Sequence, residues 1–225
     1  SVELANTTFT NSEVDVQLRL VGVEFTSYLE DSDDLGVDLD RISKRDGIAD
    51  AILDRRLAVG ADLVCLFRTE PTEDQAGIAY ILRDEAGSSG SGFSVVTVEA
   101  AWNGNIFAHE IGHNLGAAHD RENASAAGLY PYSYGYRFIQ PSTESELRTV
   151  MAYSPGWRID YFSNPRVLWE GQRIGVEAGQ NGEADNAKTV ERASGIVANY
   201  LPDALIPIVA RVRPEYYGEL IGESD

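Results

Sequence analysis

The chain has one cysteine, one methionine and three histidines in 225 residues, and each scarcity narrows what it can be. A lone Cys65 rules out any intrachain disulfide, which excludes the small stapled extracellular scaffolds and leaves an apolar core to hold the fold. It sits in Ala61-Asp62-Leu63-Val64-Cys65-Leu66-Phe67 with nothing nearby to lower its pKa, so it reads as a buried core residue. Positive charge is also scarce. Eighteen basic residues against 36 acidic ones leave a formal charge of -18, which repels phosphate backbones and anionic lipid and makes nucleic acid a poor partner. Long hydrophobic runs are missing too: the longest, Ala204 to Ala210, is broken by Pro207, so no membrane span is expected. Ser1 is followed by no leader pattern, and whatever came first is expected to have been removed.

What remains, 43% hydrophobic and 24% charged residues, is the balance of a globular domain with a solubilising acidic surface. The run Glu30-Asp31-Ser32-Asp33-Asp34-Leu35-Gly36 opens like a calcium loop. However, Leu35 takes the place of the third ligand and Ile42 that of the closing glutamate, so no motif supports Ca2+.

The order of elements reads as strand, helix, strand, edge strand, strand, helix. The β-branched run Val14 to Val23 suggests a strand, and Asp40 to Leu57 spaces its apolar residues like one helix, capped by Asp38 or Asp40 and ended by Gly60. Strands follow at Ala61–Phe67, Gly77–Ile81 and Phe93–Val98, with the glycine-serine run from Gly87 to Gly92 as a flexible connector and Asn103-Gly104-Asn105 as the cap of the next helix. Beyond His119, prolines and glycines break the pattern into loops until a helix over Asn186 to Leu201. Residues 202–225 read as a tail or linker, and no internal repeat is visible.

All the histidines fall in His109-Glu110-Ile111-Gly112-His113-Asn114-Leu115-Gly116-Ala117-Ala118-His119-Asp120. His109 and His113 lie one helical turn apart on the same face, so both imidazoles can reach one ion, with Glu110 flanking the pair. Gly116 can take the left-handed conformation that ends a helix and swings His119 round as a third ligand. Three neutral nitrogens with a fourth position open suit Zn2+, and Glu110 would pass a proton from attacking water to a departing amine, which makes amide hydrolysis the expected reaction. A closed structural metal site would need a fourth ligand, and the chain has neither another histidine nor a second cysteine.

At these residues the chain resembles the metzincin metallopeptidases, whose motif His-Glu-x-x-His-x-x-Gly-x-x-His it matches in full. The resemblance implies that Met151, in Thr149-Val150-Met151-Ala152-Tyr153, forms the methionine turn beneath the metal. It also implies that Asp120 supports the site without ligating, as in the adamalysin branch, and that Tyr153 approaches the metal, as in the astacin and serralysin branches. The stretches Leu18–Val23, Gly92–Ser94, Arg148–Tyr153, Ile159–Pro165 and Ala184–Ala187 are similar to bacterial peptidyl-Asp metalloendopeptidases, over about Val2 to Leu201. That likeness implies cleavage on the amino side of aspartate, with Arg148, Arg158 or Arg166 supplying a cation for the aspartate side chain. It also implies that a strand and most of a helix precede Leu4-Ala5-Asn6-Thr7, on a segment that has been removed or that associates as another chain.

The expectation is therefore an α/β (α+β) metzincin-like domain over 1–201. Its upper lobe (1–116) carries a twisted mixed sheet and two helices, and its lower lobe (117–201) is mostly irregular with a C-terminal helix. The metal ligands His109, His113 and His119 floor a cleft between the lobes, and Gly77, Ile78 and Ala79 on the edge strand align an extended peptide. The function expected is that of a secreted bacterial zinc endopeptidase acting on proteins or peptides. An inactive binding or adhesion module of the same fold is the alternative, disfavoured because Glu110 and all three histidines are present.

Overall fold

The computed structural model describes residues 1–30, 33–69, 72, 75–103 and 105–203. The expectations for Pro71, for part of the acidic run and for most of the tail lie outside the described residues. Helix α1 (Val2–Asn11) buries Ala5, Thr8 and Phe9. From Val14 to Val23 the chain runs on without joining any sheet, contrary to the expected strand. Its backbone is held instead by a side chain: Leu18 N–H donates to Asn6 Oδ1 at 2.8 Å, and Asn6 Nδ2 donates to Leu18 O at 3.0 Å. β-branched residues suit a strand only when another strand lies beside them, and none does among the described residues.

The single helix expected over Asp40–Leu57 is two, α2 (Leu35–Ser43) and α3 (Asp50–Val59), with Asp34 rather than Asp38 or Asp40 as the first cap. The break falls at Asp46-Gly47. Gly47 adopts φ +86°, and the Asp46 side chain accepts from Ile48 N at 2.9 Å, so local turn bonds outcompete the helix. Gly60 ends α3 in the left-handed conformation at φ 63°, as expected.

Strand β1 (Val64–Arg68) follows, then β2 (Gly77–Ala79) and β3 (Phe93–Thr97), forming a mixed sheet in the order β1-β3-β2. β1 is parallel to β3, whereas β2 is antiparallel to it and forms one edge. The Gly87–Gly92 connector contains a 3-10 turn at Ser89–Ser91 and is packed rather than free, since a Cβ at Gly87 would lie 2.6 Å from Ile196. After β3 come α4 (Val98–Asn103), which the pattern did not suggest, and α5 (Ile106–Asn114), which lies across β2 and β3.

Past α5 the chain makes only short strands. These are β4 (Ala118–Asp120) with β5 (Tyr134–Gly135), β6 (Arg137–Ile139) with β7 (Glu146–Arg148) and β8 (Trp157–Arg158), and β9 (Asn164–Trp169) with β10 (Gln172–Ile174). Helix α6 (Asn186–Val197) closes the described fold, four residues shorter than the pattern to Leu201. No helix among the described residues is long and apolar enough to cross a membrane.

The largest apolar cluster lies beneath α5 and joins Ala5 and Phe9 of α1, Phe107, Ala108 and Ile111 of α5, Met151 and Phe162, and Val190 and Val197 of α6. Phe9 is fully buried and stacks on Phe162 with centroids 5.5 Å apart. Polar links run alongside: Asn105 Nδ2 donates to Thr8 Oγ1 and Asp160 Oδ1, and Ser12 Oγ accepts from Phe162 N. Truncating Phe9→Ala is expected to destabilise the protein by about 3–5 kcal/mol in urea denaturation, because the stacked ring cannot be replaced by collapse of its rigid neighbours. A change under about 1 kcal/mol would show that α1 is dispensable to this core.

Candidate metal centre

Helix α5 carries His109, Glu110 and His113, all buried. Asn105 stands at its N-cap, as expected, but its side chain makes no capping bond and reaches instead to Thr8 and Asp160. At the other end Gly116 adopts φ +81°, with its N–H donating to His113 O at 2.8 Å. Glycine is needed there for space as well as for conformation, since a Cβ would lie 2.7 Å from Leu129 Cβ. The turn feeds β4, which brings His119 back towards the helix.

The three imidazoles converge. His119 Nε2 lies 3.2 Å from His109 Nε2 and 2.9 Å from His113 Nε2, and the ligand atoms of all three residues lie within 4.8 Å of one another. Two of the outward nitrogens are tethered to backbone: His109 Nδ1 is 2.8 Å from Val150 O, and His113 Nδ1 is 2.8 Å from Ala117 O. A carbonyl can only accept, so each of these Nδ1 atoms carries the proton and each Nε2 presents a lone pair inward. Burial, reinforced by the neighbouring imidazoles, drives His109 well below the ordinary histidine range and His113 down to about 3. His119 is lowered by burial too, partly offset by Asp120.

Neutral imidazoles aimed at one point repel through their lone pairs unless a cation lies between them. Tetrahedral zinc with nitrogens at 2.0–2.1 Å holds its ligands about 3.3 Å apart, close to the spacing found, so the donor set fits Zn2+.

Glu110 lies beside this cluster, and burial pushes its carboxyl up to about 8 while Arg158 pulls it down. Met151 is fully buried beneath α5: a Cβ on Gly112 would meet its Sδ at 2.5 Å. Gly112 thus belongs to the structure of the site. In the sequence it was only a small residue between two histidines.

Asp120, which is outside the three-histidine cluster, accepts from Tyr153 N at 2.9 Å and from Asn123 Nδ2 at 2.9 and 3.0 Å, with Arg137 Nη2 at 3.4 Å. Asn123 and Arg137 carried no signal in the sequence. The Tyr153 ring lies over His119 with centroids 4.1 Å apart.

The three arginines separate. Arg166 pairs with Asp185, the cap of α6, at 2.8 Å, and Arg148 donates to Gly156 O and Ala152 O at 2.8 and 2.7 Å. Arg158, on β8, is the charge felt by Glu110, and burial followed by repulsion from Arg148 lowers it to about 10. Gly77 of β2 lies directly against Glu110, whereas Ile78 packs with the separate cluster around Leu35, Phe93 and Val95.

Residues 1–120 match the model of the reprolysin-like M12B metallopeptidases. The chain belongs to this family. It is 32% identical to a peptidyl-Asp metalloendopeptidase of Stenotrophomonas maltophilia (strain R551-3) across 89% of its own length and 46% of the relative's. Proteins of the same name from Xanthomonas campestris and Pseudomonas aeruginosa are 30% and 27% identical over 89% of this chain, covering 45% and 36% of theirs. The chain therefore spans less than half the length of these relatives. A solved chain from a structure described as a chaperone-substrate complex superposes with a TM-score of 0.66 at 22% identity, over 89% of this chain and 34% of the other. That likeness shows the fold alone, and it agrees with the mixed α and β architecture of a metzincin.

Asp120→Ala is expected to weaken zinc binding by about 10- to 100-fold, read by competition with a chromophoric chelator, because Tyr153 N and Asn123 lose the acceptor that ties the methionine turn to the His119 segment. Unaltered affinity would mean that these bonds do not orient the ligands.

Proposed function

We propose that this protein is a zinc endopeptidase in which His109, His113 and His119 hold the ion and Glu110 carries the proton. The observation behind this reading is the meeting of three imidazoles beside a buried carboxyl. A bound zinc ion would supply Lewis acidity, lowering the pKa of water to about 7 and polarising the scissile carbonyl.

The chain's own residues do the rest. Glu110 takes a proton from water as the water oxygen bonds to the carbonyl carbon. It then gives the proton to the amine nitrogen as the C–N bond breaks. Its buried place next to His109 and His113 suits both duties. Tyr153, whose ring lies over that of His119, steadies the oxygen that gains charge in this proposal. Substrate runs extended along β2, whose outer edge pairs with no strand among the described residues, with the backbone groups of Gly77, Ile78 and Ala79 as partners. Asp120 and Met151 hold the ligands in place, and Gly116 turns His119 into the set.

A preference for aspartate on the amine side of the cut bond is part of this proposal, supported by the likeness to the peptidyl-Asp metalloendopeptidases. Glu110 protonates the nitrogen of the residue after the cut, so that residue's side chain lies within a few bonds of Glu110 and meets the cation acting on it. Of Arg148, Arg158 and Arg166, Arg158 fits this role. Its charge is the one that acts on the Glu110 carboxyl. The catalytic unit in this proposal is 1–201, with lobes 1–116 and 117–201, residues 202–225 form a tail, and the enzyme is secreted.

Glu110→Gln should keep zinc and fold while lowering hydrolysis of a peptide mixture by about 10²- to 10⁴-fold, an effect equalled in the wild type by a zinc chelator. Turnover unchanged by either treatment would end the assignment. Arg158→Ala should lower the ratio of kcat/KM for Asp over Asn after the cut bond by about ten- to a hundredfold, as expected for loss of a charge-assisted bond. An unaltered ratio would move the preference to another residue.

A further inference from the structure

The contact between β2 and the buried carboxyl says more about this site than its ligands do. In β2, Gly77 stands opposite Val96 of β3, and α5 packs across both strands. A methyl on the Gly77 α-carbon would lie 2.6 Å from Glu110 Oε1, 2.9 Å from Glu110 Cγ and 2.8 Å from Ile106 Cγ2. Carbon atoms in ordinary contact keep about 3.5–4.0 Å, so no side chain fits. Nor does the backbone call for glycine: Gly77 is absent from the glycines with positive φ. The requirement is for closeness. Because both Cγ and Oε1 of Glu110 touch the same spot, the glutamate side chain lies along the bare backbone of Gly77. Ile106, one turn earlier on α5, blocks movement on one side, and Glu110 is 3% exposed, so the carboxyl has little freedom elsewhere.

We infer that Gly77 is a positioning residue, a wall whose lack of a side chain sets where the Glu110 carboxyl rests beside His109 and His113. The inference deepens the assignment of Glu110 as proton carrier and rests on it. A displacement of about 1 Å in a catalytic group can cost about a hundredfold in rate, and a methyl at position 77 forces a shift of that order.

Gly77→Ala in the zinc-loaded protein should retain its zinc stoichiometry and circular dichroism. Its kcat should fall about ten- to a hundredfold while KM stays within about twofold. A second measurement removes turnover from the readout. Binding of a fluorescent Asp-containing peptide should be equal in Glu110→Gln and in Gly77→Ala/Glu110→Gln. Both proteins keep the backbone groups of residue 77, so weaker binding in the double variant would overturn the inference, since the bare α-carbon would then be serving to make room for substrate.

If Gly77→Ala does not fold, Gly77→Ala/Ile106→Ala relieves the aliphatic overlap and leaves only the one with the carboxyl. Compared with Ile106→Ala it should show the same loss in kcat, and an equal kcat would overturn the inference. The two readings fail separately. Full turnover in Glu110→Gln defeats the proposed function, whereas an inactive Glu110→Gln beside a fully active Gly77→Ala defeats only the role of Gly77.

Discussion

Three imidazoles meeting at one point are the constraint around which the rest of the molecule is arranged. Left alone, their nitrogens would rotate towards water or take up protons. Here backbone carbonyls of Val150 and Ala117 hold the protons of two rings on the far side, and burial keeps the imidazoles neutral. The site is therefore defined as much by where two peptide groups stop as by the histidines. Met151, next to Val150 in the chain, fills the space under Gly112.

Electrostatics then divide the work among acidic groups of similar type. Glu110 is dry and its carboxyl is pushed up to about 8, so it can hold a proton near neutral pH. Asp120, ten residues on, is surrounded by donors from Tyr153, Asn123 and Arg137 and serves as a brace. The arginines divide in the same way. Arg166 pairs with the cap of α6 and Arg148 donates to a loop carbonyl, and the charge of Arg158 acts on Glu110.

The metal centre was legible in the sequence because its logic is local. A four-residue spacing on a helix and a glycine able to take positive φ are enough to bring His109, His113 and His119 together, and Gly77–Ala79 was readable as an edge because the run is short and flanked by loop residues. What failed was non-local. Val14–Val23 has the composition of a strand but no strand to pair with among the described residues. Asp40–Leu57 has helical spacing, yet Asp46-Gly47 breaks it through bonds worth more locally than one more turn. The nearness of Gly77 to Glu110 and the choice among three arginines depend on how a sheet, a helix and a two-residue strand come together in space. Spacing along the chain carries no trace of that.

The short helix at the start of the chain has a consequence for how the molecule comes apart. Its last turn is bonded both to the residue opening the histidine helix and to the segment from Asp160 to Asn164, while Phe9 is stacked between them on Phe162. Neither half of the protein can loosen without breaking those same bonds. Heat or denaturant should therefore melt the sheet-bearing half and the loop-rich half in a single cooperative step.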